Sequence, residues 1–511
     1  MFKKILIANR GEIAVRILRA CREMRIGSVA VYSEVDRAAL HVRLADEAYP
    51  IGPAPSRESY LRIDKLMDVA RRAGCDALHP GYGFLAENPK LPHACAANGV
   101  TFIGPSPEAM ERLGGKTAAR QMAARAGVPM VPGVKDPIEQ LEDAERIASE
   151  LGYPVLLKAV AGGGGKGMRL VGSAAELSAA WRDAASEALN AFGDARVYLE
   201  KYLERPRHIE IQVFADAHGH IVHLGERECS VQRRHQKVIE ESPSPVMTPE
   251  LRRAMGEAAV RLAREAGYTN AGTAEFLVDP DRNFYFLEVN TRLQVEHPVT
   301  ELVTGLDLVK LQIRVAAGEP LPFAQDAVAL SGHAIECRLY AEDPDNNFFP
   351  SPGRILSRRT PGGPGIRLDD GVYAGFTVPT DYDPLLGKLI ARGSDRAEAI
   401  ARLERALEEY AVTGIKTNTA LFRSILRDPE FLRGEISTRW LDERLPHLRA
   451  NGQQAAGDDA AAQDAAILGA LLHDLGSNGP ERTTAATLEP ESLWKREGRL
   501  EQANRSDLPT R

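Results

Sequence analysis

The chain has 511 residues, 44% hydrophobic and 26% charged, with a formal net charge of −7. These values suit a soluble globular protein of about three domains, at roughly 150 residues each, and argue against a nucleic-acid-binding surface spread over the whole molecule. No run approaches the roughly 20 apolar residues of a membrane helix. The opening Met1-Phe-Lys-Lys-Ile-Leu-Ile-Ala8 has too short an apolar stretch for a secretory signal. Cys21, Cys75, Cys95, Cys229 and Cys337 lack metal-ligand spacing, so reduced thiols in a cytoplasm are expected.

Lys3-Lys-Ile-Leu-Ile-Ala8 is predicted to be a buried strand. Asn9-Arg-Gly11 turns the chain, and Glu12 to Arg22 carries apolar residues at helical spacing. Ser28-Val-Ala-Val-Tyr32 follows as a second strand, giving a βαβ unit and a parallel sheet. The first turn has no G-x-G-x-x-G, so a dinucleotide cofactor is not supported. A third unit ends near Asp76-Ala-Leu-His-Pro80, and Gly81-Tyr-Gly83 stands at the carboxyl edge where open sheets bind ligands. Tyr82 is thus either a ligand contact or part of a structural turn. Thr101-Phe-Ile-Gly104 closes this region, which ends near residue 114.

Gly114-Gly-Lys116 opens the next region without Walker A spacing, and Thr117 to Ala126 is predicted as a helix. Pro154 to Ala159, containing Lys158, reads as a strand. Gly162, Gly163, Gly164 and Gly165 follow, then Lys166 and Gly167, before a returning strand over Met168–Val171. Glycines let backbone N–H groups approach phosphate and let a hairpin lid open and close, so this loop reads as phosphate-binding rather than as a linker. Val197 to Leu203 reads as a strand leading into the alternating strand Arg207–Val213. Between Glu226 and Glu241, Gln232, Arg233, Arg234, His235 and Lys237 stand flanked by acids, a pattern suited to a mixed-charge anion pocket.

Residues 272–278 and 284–290, separated by Asp279-Pro-Asp-Arg-Asn283, are predicted to form a β-hairpin. If Asp279 pairs with Phe284, Glu275 lies opposite Glu288. In that register Leu277, Phe284 and Phe286 share their face, as does Asn290. Facing carboxylates cost about 0.2–1 kcal/mol across a ladder, and a divalent cation such as Mg²⁺ reverses that sign. A solvated face carrying two acids satisfies the hairpin alone equally well. Arg292, Gln294, Glu296 and His297 then crowd one segment ended by Pro298, placing a cation, an amide and a base beside it.

A boundary is expected around Gly318–Gly332. The strand His333–Leu339, carrying Arg338, opens an α+β region that continues through Asp383–Ile390. A helix is predicted from about Asp395 to Tyr410, with Ser394 as N-cap. Beyond residue 447 an amphipathic helix is expected over Ala460–Leu475, and the polar residues 476–511 read as disordered in isolation.

Together, Ile7–Ala14, His79–Asn88, Gly162–Met168, Gln232–Lys237 and Glu288–Val299 resemble the biotin carboxylase family of ATP-grasp enzymes, from residue 1 to about 446. The resemblance implies an α/β parallel-sheet domain (1–114), an ATP-grasp domain (115–330, lid about 131–204), an α+β C-terminal domain (331–446) and a tail (447–511). The activity it implies is ATP-dependent carboxylation of biotin by bicarbonate, through carboxyphosphate. Lys116, Lys158, His208, Gln232 and His235, with Gly162 to Gly165, would contact ATP, and Glu200, Lys201 and Leu203 would hold its adenine. Glu275 and Glu288, with Asn290, would hold Mg²⁺ or Mn²⁺. Lys237, Arg292, Gln294 and the Val295 backbone would hold bicarbonate, and Glu296 would deprotonate it. Arg338 would stabilise the biotin ureido oxygen, and Tyr82 would line the biotin site.

No Met is followed by Lys, so the family's Met-Lys-Met biotinylation site is absent. Biotin is therefore expected on a separate carrier protein, alongside a carboxyltransferase subunit that sets the final acyl acceptor. A homodimer is expected, and neither nucleic acid nor membrane. The tail reads either as a docking element for partner subunits or as disorder. Two rivals stand beside this reading: another bicarbonate-using ATP-grasp ligase, such as one making carbamoyl phosphate, and a non-catalytic ATP-binding subunit. Glu275, Glu288 and Glu296 beside Arg292 and Arg338 count against the second.

Overall fold

Apolar runs broken by glycine turns give five strands at the N-terminus of this computed structural model, which describes residues 1–134, 138, 140–159, 168–192 and 196–457. They are β1 (Lys4–Ile7), followed by helix α1 (Gly11–Glu23), then β2 (Gly27–Ser33), β3 (Glu47–Gly52), β4 (Ala77–His79) and β5 (Thr101–Phe102). All pair in parallel, in the order β3-β2-β1-β4-β5. Ile5, Leu6 and Ile7 are fully buried, as a strand covered on both faces requires. The strand order reverses between β1 and β4, so the turns after these two strands meet at the sheet's carboxyl edge. Asn9 Nδ2 ties them together, donating to the carbonyls of Pro80 and Tyr82, each at 2.7 Å. Gly81 has φ +64, and a Cβ there would come within 2.8 Å of that amide, so only glycine lets Tyr82 sit where it does.

Helix α2 (Lys116–Arg125) leads to a three-stranded antiparallel sheet of β6 (Val155–Ala159), β7 (Met168–Val171) and β8 (Val197–Lys201), ordered β7-β6-β8. The expected strand–loop–strand form is present, while the loop itself (Gly162 to Gly167) lies outside the described residues. β8 stops two residues before the expected Leu203. The chain turns there through Arg205, at φ 48, and Pro206, which has no N–H to give a ladder.

The largest element is an eight-stranded antiparallel sheet. Its eight strands, with three helices that accompany them, are in chain order β9 (Arg207–Ala215), β10 (Ile221–Arg233), β11 (Gln236–Ser242), helix α3 (Pro249–Ala266), β12 (Asn270–Val278), β13 (Phe284–Asn290), helix α4 (His297–Thr304), β14 (His333–Tyr340), β15 (Ile366–Asp370), β16 (Leu385–Gly393) and helix α5 (Arg396–Glu409). The order across it is β13-β12-β9-β10-β11-β14-β16-β15. Strand alternation sorts the side chains: Ile209, Ile211, Val213, Phe276 and Val278 pack under Met255 and Leu262 of α3, leaving the opposite face polar. At the other end, Ile335, Cys337, Leu389 and Ala391 pack under Ala399, Leu403 and Leu407 of α5. The sheet runs across the boundary expected near residues 318–332, since β11 pairs with β14 and sets Glu240 opposite Glu336.

The β12–β13 hairpin corrects the expected register. Val278, not Asp279, pairs with Phe284, and Phe276 pairs with Phe286; a bulge at Leu287 then restores Glu275 to a place opposite Glu288. Phe284 and Phe286 therefore share the buried face with Phe276 and Val278, while Leu277 stands on the other face with Glu275. The α5 cap is also one residue late: Asp395, not Ser394, accepts from the N–H of Glu398 at 2.9 Å, and Ser394 N–H donates to the Glu398 carboxylate instead.

The chain divides into two compact units, Met1–Gly452 and Gln453–Arg511. Of the second, only the residues through Gly457, the end of the helix Trp440–Gly457, are described, so the helix expected at Ala460–Leu475 and the residues after it lie outside. All five cysteines are free and buried. Among the described residues no helix is long and apolar enough to cross a membrane. Phe276 is fully buried, with ring centroids of Phe284 and Phe286 at 5.6 and 6.2 Å. Phe276→Ala should therefore lower stability by about 3–5 kcal/mol, read as a shift of the urea midpoint.

Candidate active site

In β9 the alternation His208-Ile-Glu-Ile-Gln212 puts His208, Glu210 and Gln212 on the polar face. Cross-strand pairing then lines up one rung over four strands: Glu288 faces Glu275, Glu275 faces Glu210, and Glu210 faces Arg227. Three carboxylates in a row would repel one another, and two cations offset this. Arg227, fully buried, donates to Glu210 at 3.0 Å and to Gln294 Oε1 at 2.6 Å. Lys237 Nζ, from β11, contacts Glu210 Oε1, Glu296 Oε1 at 2.7 Å and Glu275 Oε1 at 3.3 Å.

Glu296 is the centre of this arrangement. Its second oxygen accepts from Arg338 Nη2 at 2.9 Å, and Arg338 Nε is held by Glu240 at 2.6 Å. Burial would raise the Glu296 pKa, but Lys237, Arg338 and Arg227 outweigh it and hold the carboxyl well below its usual range. Glu210 goes the other way: burial and Glu296 push it up to about 7 despite Lys237 and Arg227. Burial disfavours charge on Arg338 as well, yet Glu240 and Glu296 keep its pKa well above the usual value. Neighbouring carboxyls driven apart in this way suit one to act as an ionised base.

The other predicted residues fall into groups around this core. His208 Nε2 lies 2.9 Å from Glu275 Oε2, an ion-pair contact, and its Nδ1 lies 2.8 Å from the Gln232 amide. Gln294 gives its amide N–H to Glu275 at 2.8 Å, and Asn290 does the same at 2.5 Å. Arg292 bridges Asn290 Oδ1 at 2.9 Å and Glu87 Oε2 at 3.0 Å. A second group pairs Lys158 with Glu200, which also takes Arg120 at 2.5 Å; Lys201 Nζ donates to the carbonyls of Gly152 and Tyr153. Leu203 is partly buried just past β8, and the Val295 carbonyl accepts from Lys388 Nζ at 2.8 Å. Tyr82 lines a cleft of about 360 Å³ at the carboxyl edge of the N-terminal sheet, with Arg10, Glu12, Phe84, Tyr382 and Asp383. His235 is not drawn into the core: it sits exposed at the β10–β11 turn, at φ 67. Lys116 opens α2, but its side chain, like Gly162 to Gly165, lies outside the described residues.

Glu275 and Glu288 offer carboxylate oxygens from one rung and Asn290 an amide oxygen, a hard donor set that fits Mg²⁺ or Mn²⁺. Two other trios have ligand atoms within 4.8 Å of one another: His208 with Glu210 and Glu275, and Glu210 with Cys229 and Glu296. Lys237 already contacts Glu210, Glu275 and Glu296. Burial also pushes the Cys229 thiol far up, so it stays protonated. The Glu275–Glu288–Asn290 set, made of oxygen donors alone, could hold such an ion.

Three family profiles match in order: the biotin carboxylase N-terminal domain over residues 1–110, the carbamoyl-phosphate synthase L chain ATP-binding domain over 115–324, and the biotin carboxylase C-terminal domain over 336–443. A pyruvate carboxylase subunit of Methanothermobacter thermautotrophicus is 56% identical over 460 residues, covering 90% of this chain and 93% of its own. The chain belongs to the biotin carboxylase family. It is accordingly an ATP-dependent ligase. Biotin carboxylase of Nostoc sp. is 54% identical over 86% of this chain and 99% of its own. The biotin carboxylase domain dimer of Hydrogenobacter thermophilus 2-oxoglutarate carboxylase, solved with MgADP, ADP and bicarbonate, superposes with a TM-score of 0.80 at 48% identity, covering 88% and 98% of the two chains.

Sequence reasoning missed Glu210, Arg227, Glu240, Glu87, Arg120 and Lys388. Two of them left a signal. The alternation of residues 207–213 puts Glu210 on one face with His208, and Lys388 is the single charge in the apolar run Leu385–Ile390. Arg227, Glu240 and Glu87 gain their meaning only from strands or loops distant in sequence. The shift of Glu210 from 4.5 to about 7 means that the folded chain binds more protons than the unfolded one between those values, so stability falls as pH rises through that window. Glu210→Gln should flatten this dependence by on the order of 1–3 kcal/mol, measured as urea unfolding at pH 5 against pH 7.5.

Proposed function

We propose that the chain carboxylates biotin carried on a separate protein, using MgATP and bicarbonate and passing through carboxyphosphate. The observation that carries this reading is the Glu296 carboxylate, held at 2.7 Å by Lys237 and at 2.9 Å by Arg338 on the face that bears Glu275 and Glu288. A carboxylate removes a proton from bicarbonate uphill, so fixed cations must stabilise the carbonate that forms. Lys237, Arg292, Gln294 and the Val295 backbone hold bicarbonate, and Glu296 takes its proton. The carbonate oxygen then attacks the γ-phosphorus of ATP as the bond to the β–γ bridging oxygen breaks, leaving ADP and carboxyphosphate.

Lys116, Lys158, His208, Gln232 and His235, with the loop Gly162–Gly165, hold the nucleotide, and Glu200, Lys201 and Leu203 meet its adenine. Glu275, Glu288 and Asn290 would hold Mg²⁺ or Mn²⁺, whose charge neutralises the phosphate oxygens. Carboxyphosphate then separates into CO₂ and phosphate. Phosphate takes the biotin ureido proton, Arg338 steadies the negative ureido oxygen, and the nitrogen attacks CO₂. Tyr82 lines the biotin position.

We read residues 1–114, 115–330 and 331–446 as the three parts of the enzyme, with the lid at about 131–204, and place the protein in the cytoplasm. A homodimer finds support in the relative solved as a dimer. A separate carrier and carboxyltransferase find support in the relative named as one subunit of a carboxylase.

The test is ADP release from MgATP with bicarbonate, with and without free biotin or a biotinylated carrier domain. Biotin-stimulated turnover is expected, falling at least about 100-fold in Glu296→Ala. Bicarbonate-dependent turnover that ignores both forms of biotin would instead select a carbamoyl-phosphate-type ligase. No bicarbonate dependence at all would select a non-catalytic role.

A further inference from the structure

Lys388 lies mid-strand in β16 with its side chain fully buried. Removing an ammonium from water costs several kcal/mol unless it is well paired, so its partners define its purpose. Nζ donates to the Val295 carbonyl at 2.8 Å, stands 3.3 Å from Glu12 Oε1, and lies 5.7 Å from the centroid of the Tyr82 ring. These partners come from three other parts of the chain: the segment before α4, the first turn of α1 and the loop after β4.

The Val295 carbonyl belongs to the same planar peptide unit as the Glu296 N–H, so fixing one orients the other. The preceding plane is anchored as well, because the Gln294 carbonyl lies 2.9 Å from Nδ1 of the fully buried His297. Burial, and then Lys388, drive the His297 pKa far down, so the ring is neutral and Nδ1–H is the donor. Glu12 in turn is fixed from behind. A Cβ on Gly371, just past β15, would come within 2.7 Å of the Glu12 backbone nitrogen, so the two backbones are in close contact. Glu12 is 3% exposed and neither of its carboxylate oxygens makes a hydrogen bond, which leaves Lys388 as its ion-pair partner among the described residues.

The geometry points to Lys388 as a positioning residue for carboxylation: held by Glu12, its ammonium pins the Val295 carbonyl and so aims the Glu296 carboxylate between Lys237 and Arg338. This rests on Glu296 being the base that deprotonates bicarbonate. A purely stabilising ion pair would lower the melting temperature without altering turnover of the folded enzyme, so the two roles separate in kinetics. Misplacing a reacting group by about 1 Å can cost roughly 100-fold in rate.

The experiment compares wild type, Lys388→Met, Lys388→Arg, Glu12→Gln and the Lys388→Met/Glu12→Gln double variant as full-length chains. Their bicarbonate-dependent MgATP cleavage is measured, with KM for MgATP and bicarbonate. Lys388→Met should lose about 10–100-fold in kcat with KM for MgATP within about twofold, and Lys388→Arg should recover part of the loss. Glu12→Gln should lose several-fold alone and add little to Lys388→Met, because the two act through one contact. Wild-type kcat in Lys388→Met, or an equal rise in KM for MgATP, overturns the proposal. If Lys388→Met does not fold, Glu12→Gln decides, and wild-type kcat there overturns it. An active wild type with inactive Glu296→Ala and fully active Lys388→Met sinks the positioning role alone, whereas a wild type without bicarbonate-dependent turnover sinks the function and this role together.

Discussion

One ammonium, that of Lys237, makes the polar face of the large sheet tenable. It contacts Glu210, Glu275 and Glu296, which come from β9, from β12 and from the turn before α4. At these separations, with an effective dielectric near 20, each attraction is on the order of several kcal/mol, enough to offset the mutual repulsion of acids set on neighbouring strands. The sheet contributes the alternation that brings every one of these groups to the same side, while Phe276, Ile209 and Val213 anchor the reverse face beneath α3.

The charge balance explains why the site suits anionic chemistry run beside a cation. Four buried acids (Glu210, Glu240, Glu275 and Glu296) share Arg227, Lys237 and Arg338. The deficit falls on Glu210 and Glu240, whose carboxyls burial pushes up, while Glu296 is held ionised. The acids outnumber the cations here, so a divalent cation held at Glu275 and Glu288 would relieve that deficit.

Much of this was legible in the sequence, and the exceptions are instructive. The parallel sheet followed from apolar runs and glycine turns, and the segment from Glu288 to His297 announced itself by packing unlike polar groups into a few residues. The Glu275–Glu288 pair was reached through a register one residue out at the turn, which the bulge at Leu287 compensates. Hydrophobic alternation carries no notice of an extra residue of this kind, and Leu287 is 37% exposed, as a polar residue at that place would be. Arg227 and Glu240 looked like ordinary members of a mixed-charge run; only pairing between strands far apart in sequence turns them into neighbours of Glu210 and Arg338. Lys388 was not singled out, because one charge among apolar residues does not say where its nitrogen ends.

The continuity of the large sheet bears on how such an enzyme can be divided. β11 brings Lys237 and Glu240, and β14, its neighbour across the ladder, brings Arg338. The two cations that meet the oxygens of Glu296 thus come from neighbouring strands of one hydrogen-bonded surface. Severing the chain between them would leave a long bare strand edge, inviting association with other chains, and would separate Glu296 from one of its two cations. The stretches on either side of residues 318–332 thus share one sheet and one set of buried ion pairs, so neither side of the cut would keep its charges matched.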